Sequence, residues 1–325
     1  MGFGLGGGAL SRRRAGGWER VGVRVSGGGR RAEGDRVSRA DYTTPMPTLG
    51  RLLAEARPRL AATPFGAPPR EALLLLGHVL GLSEAQVLAR EEREVSPEEE
   101  SRFRALLSRR LTGEPVAYLL GEREFWGRPF FVDDRVLIPR PETEHVIEAA
   151  LAESLPPSPR ILDVATGSGC IAITLALEIP GARVVATDLS PAALAVAAKN
   201  ARRHGVADRV SFLGTDLASG LDLSRFDLAV SNPPYIDRRE APELSPEVCD
   251  FEPHMALFPP GSGDSILARL FAQHAGLRSG VGLAVEIGRG QVDAARRHAE
   301  ASGLDLKDIR EDYAGIPRVL VLRRR

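Results

Sequence analysis

From residue 160 onward the chain alternates between two patterns. Short apolar, β-branched runs at 160–164, 183–187, 210–213, 226–231 and 283–287 are separated by stretches with helical periodicity. Runs of this kind are what strands buried on both faces look like, and strand–helix alternation implies a parallel sheet covered by helices on each side. A last pair of runs, at 304–310 and 318–322, extends the series. The expected fold is α/β, a doubly wound Rossmann-like sheet, and its helix at 190–204 opens with Ser190 as N-cap and Pro191 behind it.

A different pattern precedes the sheet. Leu49, Leu52, Leu53 and Ala56 recur at helical spacing, and Pro58 is expected to end or kink that helix. A second helix is expected over 69–80 with Gly81 as its stop, and a third from Ser83. A fourth has Ser96 as N-cap, Pro97 at its first position and Glu99 completing a capping box, and runs through Phe103, Leu106 and Leu107 to Leu111. Residues 46–117 therefore read as a small all-helical domain, serving either as packing support or as a partner-recognition surface. Arg57, Glu71, Glu91 and Glu92 are expected on its exterior. Residues 118–145 mix aromatic and β-branched residues with turns and read as a β-hairpin linker; 146–325 is the sheet domain. Residues 1–45 are rich in Gly and Arg, cannot bury a core and are expected to be disordered. They lack the apolar stretch of a secretory signal, and their early part faintly resembles a mitochondrial transit peptide; alternatively, translation starts at Met46.

Open α/β sheets bind ligands at the carboxyl edge of their strands. After the first strand comes Asp163-Val164-Ala165-Thr166-Gly167-Ser168-Gly169-Cys170, running into a helix. Gly167 allows a tight turn, Gly169 allows close approach of a ligand, and the helix N-terminus offers N–H groups. Asp188 ends the second strand about 20 residues further on, where an acidic side chain accepts ribose hydroxyls. Asp216 and Leu217 follow the third. A carboxylate at 216 can accept the amine of an adenine, or can simply form a turn. After the fourth strand come Asn232-Pro233-Pro234-Tyr235. Two prolines remove two donors and stiffen the chain into a corner of carbonyl oxygens, one carboxamide and one aromatic face. The corner suits a flat, uncharged NH2 group, whose hydrogens the Asn232 oxygen and the Pro233 carbonyl can accept while Tyr235 packs on its plane. An ordinary Asn-Pro turn would have the same residues. The whole set points to S-adenosylmethionine, because a nicotinamide enzyme would not need the last corner.

Basic and acidic residues number 43 each, so a broad surface for polyanions has no support, and direct nucleic-acid binding is not expected. Two isolated cysteines fit a reduced, cytoplasmic protein, and six scattered histidines give no metal-site spacing. Cys170 reads as a small packing residue. The run Leu73 to Leu76 is too short for a membrane span.

These residues resemble the class I methyltransferases, and within them the glutamine side-chain amide (N5) methyltransferases of peptide chain release factors. The resemblance runs from Met46 to Arg325. It rests on Gly113-Glu-Pro-Val-Ala-Tyr118, Ile138-Pro-Arg-Pro-Glu-Thr-Glu144, the Gly-rich turn, Asn232-Pro-Pro-Tyr235, Glu286-Ile-Gly288 and Ala314-Gly-Ile-Pro-Arg318. It implies cofactor contacts at Ala165 to Gly169, Asp188, Leu217 and Asn232, with the target amide held by Asn232, Pro233, Pro234 and Tyr235. It implies class I peptide chain release factors as partners, presenting a Gly-Gly-Gln loop. Ala165 stands where the family usually has Gly, and Leu217 where an aromatic residue is common. Asn-Pro-Pro-Tyr is shared with nucleic-acid amino-methyltransferases acting on a flipped base, and a sister family methylates a ribosomal protein. A binding module that merely keeps the fold is a further alternative. No residue stands out as a strong general base, so orientation is the expected source of rate.

Overall fold

The computed structural model describes residues 46–325, so the expectations for 1–45 lie outside the described residues. Helix α1 (Leu49–Ala61) opens on Thr48, whose side chain accepts from the Arg51 amide. Pro58 does not end it. The proline forfeits one amide bond, but Leu60 beyond it is fully buried and anchors the last turn. Helix α2 (Glu71–Leu80) stops at Gly81, whose φ of +64° is the left-handed conformation that favours glycine. Helices α3 (Glu84–Leu88) and α4 (Pro97–Leu111) both open on capping boxes, Ser83 with Gln86 and Ser96 with Glu99. A short helix α5 (Val116–Leu120) follows Pro115 and crosses the expected boundary at residue 117. Its Leu119 joins Leu53, Leu76 and Phe103 in one apolar core. Glu71 is not on the exterior: it is buried against Arg110 of α4.

Strands β1 (Glu122–Phe125) and β2 (Arg128–Phe131) form the hairpin. The chain then runs through α6 (Glu144–Leu151), β3 (Arg160–Val164), α7 (Cys170–Glu178), β4 (Arg183–Asp188), α8 (Pro191–Arg203), β5 (Val210–Gly214) and β6 (Leu228–Ser231). Three helices follow, α9 (Pro246–Phe251), α10 (His254–Leu257) and α11 (Gly263–His274). Last come β7 (Gly282–Glu286), α12 (Val292–Ala301), β8 (Leu304–Glu311) and β9 (Pro317–Arg324). The sheet order is β5-β4-β3-β6-β7-β9-β8. The first five strands in that order are parallel; β9 is antiparallel to both β7 and β8. The departure from an all-parallel sheet has a simple cause. The link from β8 to β9 is a tight turn closed by Asp312, and a parallel neighbour would need a long crossover.

Residues alternate between two apolar layers, Ile161 facing one and Leu162 the other. The chain leaves β3 toward β4 and β5, then returns to the other flank of β3 as β6. The order reverses between β3 and β6, so the loops after these two strands open onto one crevice. Among the described residues, no helix is long and apolar enough to cross a membrane.

His274, at the end of α11, is completely buried, with Nδ1 on the Leu270 carbonyl at 2.6 Å and Nε2 without a partner among the described residues. Burial pushes its pKa down to about 4. The folded state therefore binds fewer protons than the unfolded one. Its contribution to stability is complete above about pH 6.5 and is lost as pH falls toward 4. Between pH 7 and 5 the loss should be about 2 kcal/mol, and His274→Leu should lack it. Urea unfolding of both proteins at the two pH values checks this; equal pH dependence would sink it.

Candidate active site

The turn after β3 is held from within. Asp163 is completely buried and accepts from the Thr166 hydroxyl at 2.6 Å and the Ala172 amide at 3.2 Å. Burial pushes its pKa up to about 7. Gly167 and Gly169 have φ of +54° and +82°. A Cβ on Gly169 would also lie 3.0 Å from Ala197 Cβ, so helix α8 packs where a side chain would go. Ala165 takes φ +60° without being glycine, a conformation that costs about 1–2 kcal/mol for an L-residue. Part of the expected donor capacity is spent internally: the Gly169 amide bonds the Thr166 carbonyl, and the Gly167 amide bonds Asp188 at 2.9 Å. Cys170 is buried and its thiol is pushed up to about 12, so it is inert packing.

Asp188 ends β4 facing this turn. One carboxylate oxygen accepts from Gly167, the other from the Ser190 amide at 2.8 Å. Each oxygen keeps a second lone pair. Burial raises its pKa above the ordinary carboxylate value. Asp216 follows β5, and one of its oxygens is taken by Arg269 of α11, a partner the sequence did not reveal. Leu217 is buried with φ +54°. Ala165, Thr166, Gly167, Ser168, Asp188, Asp216, Leu217, Asn232 and Pro234 line one cavity of about 310 Å³.

Pro233 and Tyr235 line a different cavity, of about 340 Å³. Asn232 borders both, as do Leu137, Arg140 and Ala256. The corner is thus a partition between two chambers. Ser231 ties its base to β3, its hydroxyl donating to the Val164 carbonyl at 2.8 Å. Asn232 Nδ2 donates to Thr143 Oγ1 at 3.0 Å, while no described residue donates to its Oδ1. The Tyr235 hydroxyl donates to Glu286 Oε1 at 2.9 Å, and the Tyr235 carbonyl accepts from Gln291 at 3.0 Å. A Cβ on Gly263 would lie 2.3 Å from that carbonyl, so only glycine lets α11 start against the corner.

In the run Ile138-Pro-Arg-Pro-Glu-Thr-Glu144, three side chains hold the site's surroundings together. Arg140 pairs with buried Glu252, which also accepts from the Ile138 amide. Thr143 holds Asn232. Glu144 accepts from the amide of Trp126, the φ +52° residue of the β1–β2 turn. Glu286, at the end of β7, is 1% exposed, and burial raises its pKa. Sequence reasoning gave no role to Arg140, Thr143, Glu252, Glu286 or Arg318, each of which lines the second cavity or bonds a residue that does. Glu252 lay in none of the short motifs; membership of those motifs was the only sequence signal for the other four.

The family described as PrmC N-terminal domain matches residues 51–121, and the family described as Methyltransferase small domain matches 147–247. The chain is 44% identical over 272 residues to the release factor glutamine methyltransferase of Cereibacter sphaeroides, covering 83% of this chain and 96% of that protein. It is 46% identical over 257 residues to the enzyme of the same name from Bordetella pertussis, covering 78% and 94%. In fold it is similar to the catalytic domain of hMettl16 in complex with a MAT2A 3'UTR hairpin, with a TM-score of 0.50 at 15% identity, covering 67% of this chain and 81% of that one. A crevice at the strand-order reversal, a carboxylate after β4 and a proline-stiffened carboxamide after β6 thus recur in a chain that matches such relatives over nearly their full length, and it belongs to the release factor glutamine methyltransferase family.

Proposed function

We propose that this protein transfers the methyl group of S-adenosylmethionine to the side-chain amide nitrogen of the glutamine in the Gly-Gly-Gln motif of peptide chain release factors, in the cytoplasm. The observation that carries the reading is the position of Asn232, on the wall shared by two cavities. One cavity has the attributes of a nucleoside site: Asp188 with a free lone pair on each oxygen, and apolar contact from Leu217 and Leu189. When bound there, S-adenosylmethionine supplies an electrophilic methyl group on a sulfonium.

A carboxamide nitrogen is a poor nucleophile, since its lone pair is delocalised into the carbonyl. Asn232 Oδ1 and the Pro233 carbonyl accept its two N–H bonds and so favour the positive charge that develops on nitrogen. The rigid corner aligns the nitrogen with the neighbouring cavity, a contribution of several kcal/mol. As the new N–C bond forms, the C–S bond breaks, and the surplus proton on nitrogen passes to water. The test is incubation with labelled S-adenosylmethionine and a full-length release factor, followed by mapping of the label. Label anywhere but the glutamine amide, or none, would reject the reading.

Asp188→Ala should weaken S-adenosylmethionine binding by about 1.5–3 kcal/mol, the usual cost of losing hydrogen bonds to a charged acceptor. Calorimetry would show it, and unchanged affinity would remove Asp188 from the cofactor site. The helical region 46–117 is proposed to select the protein substrate, because glycines in the target loop offer no side chains to read. Support comes from its attachment: Arg110 of α4 pairs with Glu247 of α9, and Val248 of the same helix lines the second cavity. Glu91 and Glu92 remain on its exposed surface.

A further inference from the structure

The motif Ala314-Gly-Ile-Pro-Arg318 takes no part in holding the cofactor or the target amide. It leads into β9, which runs antiparallel to β7, so the start of β9 lies beside the carboxyl end of β7. Val319 pairs with Glu286, and the Arg318 carbonyl accepts from the Ile287 amide at 2.8 Å. Arg318 thereby reaches the edge that carries Asn232 and Tyr235, and lines the second cavity with them and with Glu142. We propose that Arg318 and Glu142 form a subsite for the peptide main chain beside the target glutamine, Arg318 donating to a carbonyl and Glu142 accepting an N–H. The proposal rests on the reading that the second cavity receives the target amide, and names how the chain around that amide is held.

A glutamine preceded by two glycines offers little to recognise except its main chain. Glycine leaves that chain open to close approach. Each peptide group then needs one donor and one acceptor. The other side-chain donors of this wall have partners: Asn232 Nδ2 meets Thr143, the Tyr235 hydroxyl meets Glu286, and Arg140 meets Glu252. In Arg318 only Nε is engaged, by Asp312 Oδ2 at 2.8 Å, and no described residue accepts from either Nη. Asp312 is itself fixed, its Oδ1 accepting from the Ala314 amide at 2.9 Å and the Ile316 amide at 3.0 Å. The guanidinium is therefore held in place before a ligand arrives, with its Nη hydrogens available.

Glu142 supplies the complement. It stands in the turn before α6, partly buried, and no described residue donates to its carboxylate. It does not pair with Arg318 either: that arginine's ion pair among the described residues is with Asp312. A free donor fork and a free carboxylate on one wall suit a C=O and an N–H, and hydrogen bonds with one charged partner are the stronger ones. Both side chains can be removed without stranding a neighbour. R318M leaves Asp312 on its two amides, and E142A breaks no side-chain hydrogen bond among the described residues.

The test compares wild type, R318M, E142A and the R318M/E142A double variant on a full-length release factor and on a short Gly-Gly-Gln peptide. The peptide is capped at both ends, so that no terminal carboxylate can take the arginine. Each single variant should lose about tenfold in kcat/KM on both substrates, the cost of one hydrogen bond to a charged group, with melting temperature and S-adenosylmethionine affinity unchanged. Two further peptides carry an ester in place of the peptide bond on one side or the other of the glutamine. An ester deletes the N–H and weakens the carbonyl as an acceptor. Wild type should lose about tenfold on at least one ester peptide, and the double variant less than about twofold on the same one, because the contacts are already gone. Wild type indifferent to both esters, a double variant that suffers the ester penalty in full, or kcat/KM within about threefold of wild type in either single variant would each overturn the subsite. A loss on the release factor without one on the capped peptide would also overturn it, and would move these residues to the protein-docking surface. If wild type methylates neither substrate, the functional reading fails. Calorimetric binding of the capped peptide to wild type and to the double variant, with S-adenosylhomocysteine present, then decides the subsite separately, equal or absent binding overturning it.

Discussion

Asn232→Ala should lower methyl transfer by about 10²–10³-fold, equivalent to roughly 2.7–4 kcal/mol, the cost of removing one preorganised partner from a developing charge. The partner is the free Oδ1 on the wall between the two cavities. The fold should survive. Asn232 contributes one hydrogen bond to Thr143, while the corner's backbone is held separately by Gln291 on the Tyr235 carbonyl and by Ser231 on Val164. The measurement is kcat on a release factor together with S-adenosylmethionine affinity and melting temperature. Turnover within tenfold of wild type in a folded, cofactor-binding variant would remove Asn232 from the chemistry.

The largest effect on stability should come from Arg110→Met. Arg110 is 1% exposed. Its Nε donates to Glu71 at 2.6 Å, its Nη2 pairs with Glu247, and its guanidinium lies 4.7 Å from the Phe65 ring centroid. Without the arginine, buried Glu71 is left with no counter-charge, beside a half-buried Glu247. Breaking a buried pair in this way costs about 3–5 kcal/mol. Urea unfolding at neutral pH measures it, and a loss below about 1 kcal/mol would show that the pair is solvated. Replacing Glu71 and Glu247 by Gln in the same variant should recover much of the loss, since the penalty is uncompensated charge rather than missing volume. The damage should reach the second cavity, because Glu247 belongs to α9 and Val248 of that helix is in its wall.

Much of the architecture was legible in the chain because it is governed by rules that act over a few residues. The capping boxes at Ser83 and Ser96, the left-handed stop at Gly81 and the Ser190 cap are contacts between residues three or four apart, or single-residue backbone preferences. The parallel strands were marked by length and apolar composition. Pro58 shows where such rules lose: its helix continues because a buried leucine beyond it outweighs one missing bond. The turn residues of the candidate site were equally local. Ala165, Gly167, Gly169 and Leu217 all have positive φ, and Asp188 closes the loop that follows its own strand.

What the chain alone determined, then, is a set of strand ends, each carrying one chemically suited residue: the Gly-rich turn after β3, Asp188 after β4, Asp216 after β5 and Asn232 after β6. Tertiary structure decided what those residues face. Glu71 meets Arg110 across 39 positions, Asn232 meets Thr143 across 89, and Arg110 meets Glu247 across 137. None of these pairings has a periodicity to betray it. The Asn232–Thr143 contact exists because β6 inserts between β3 and β7, bringing Asn232, Glu286 and the loop before α6 to one edge. Strand order is set by the burial of whole apolar faces, a cooperative quantity that no short stretch of sequence contains.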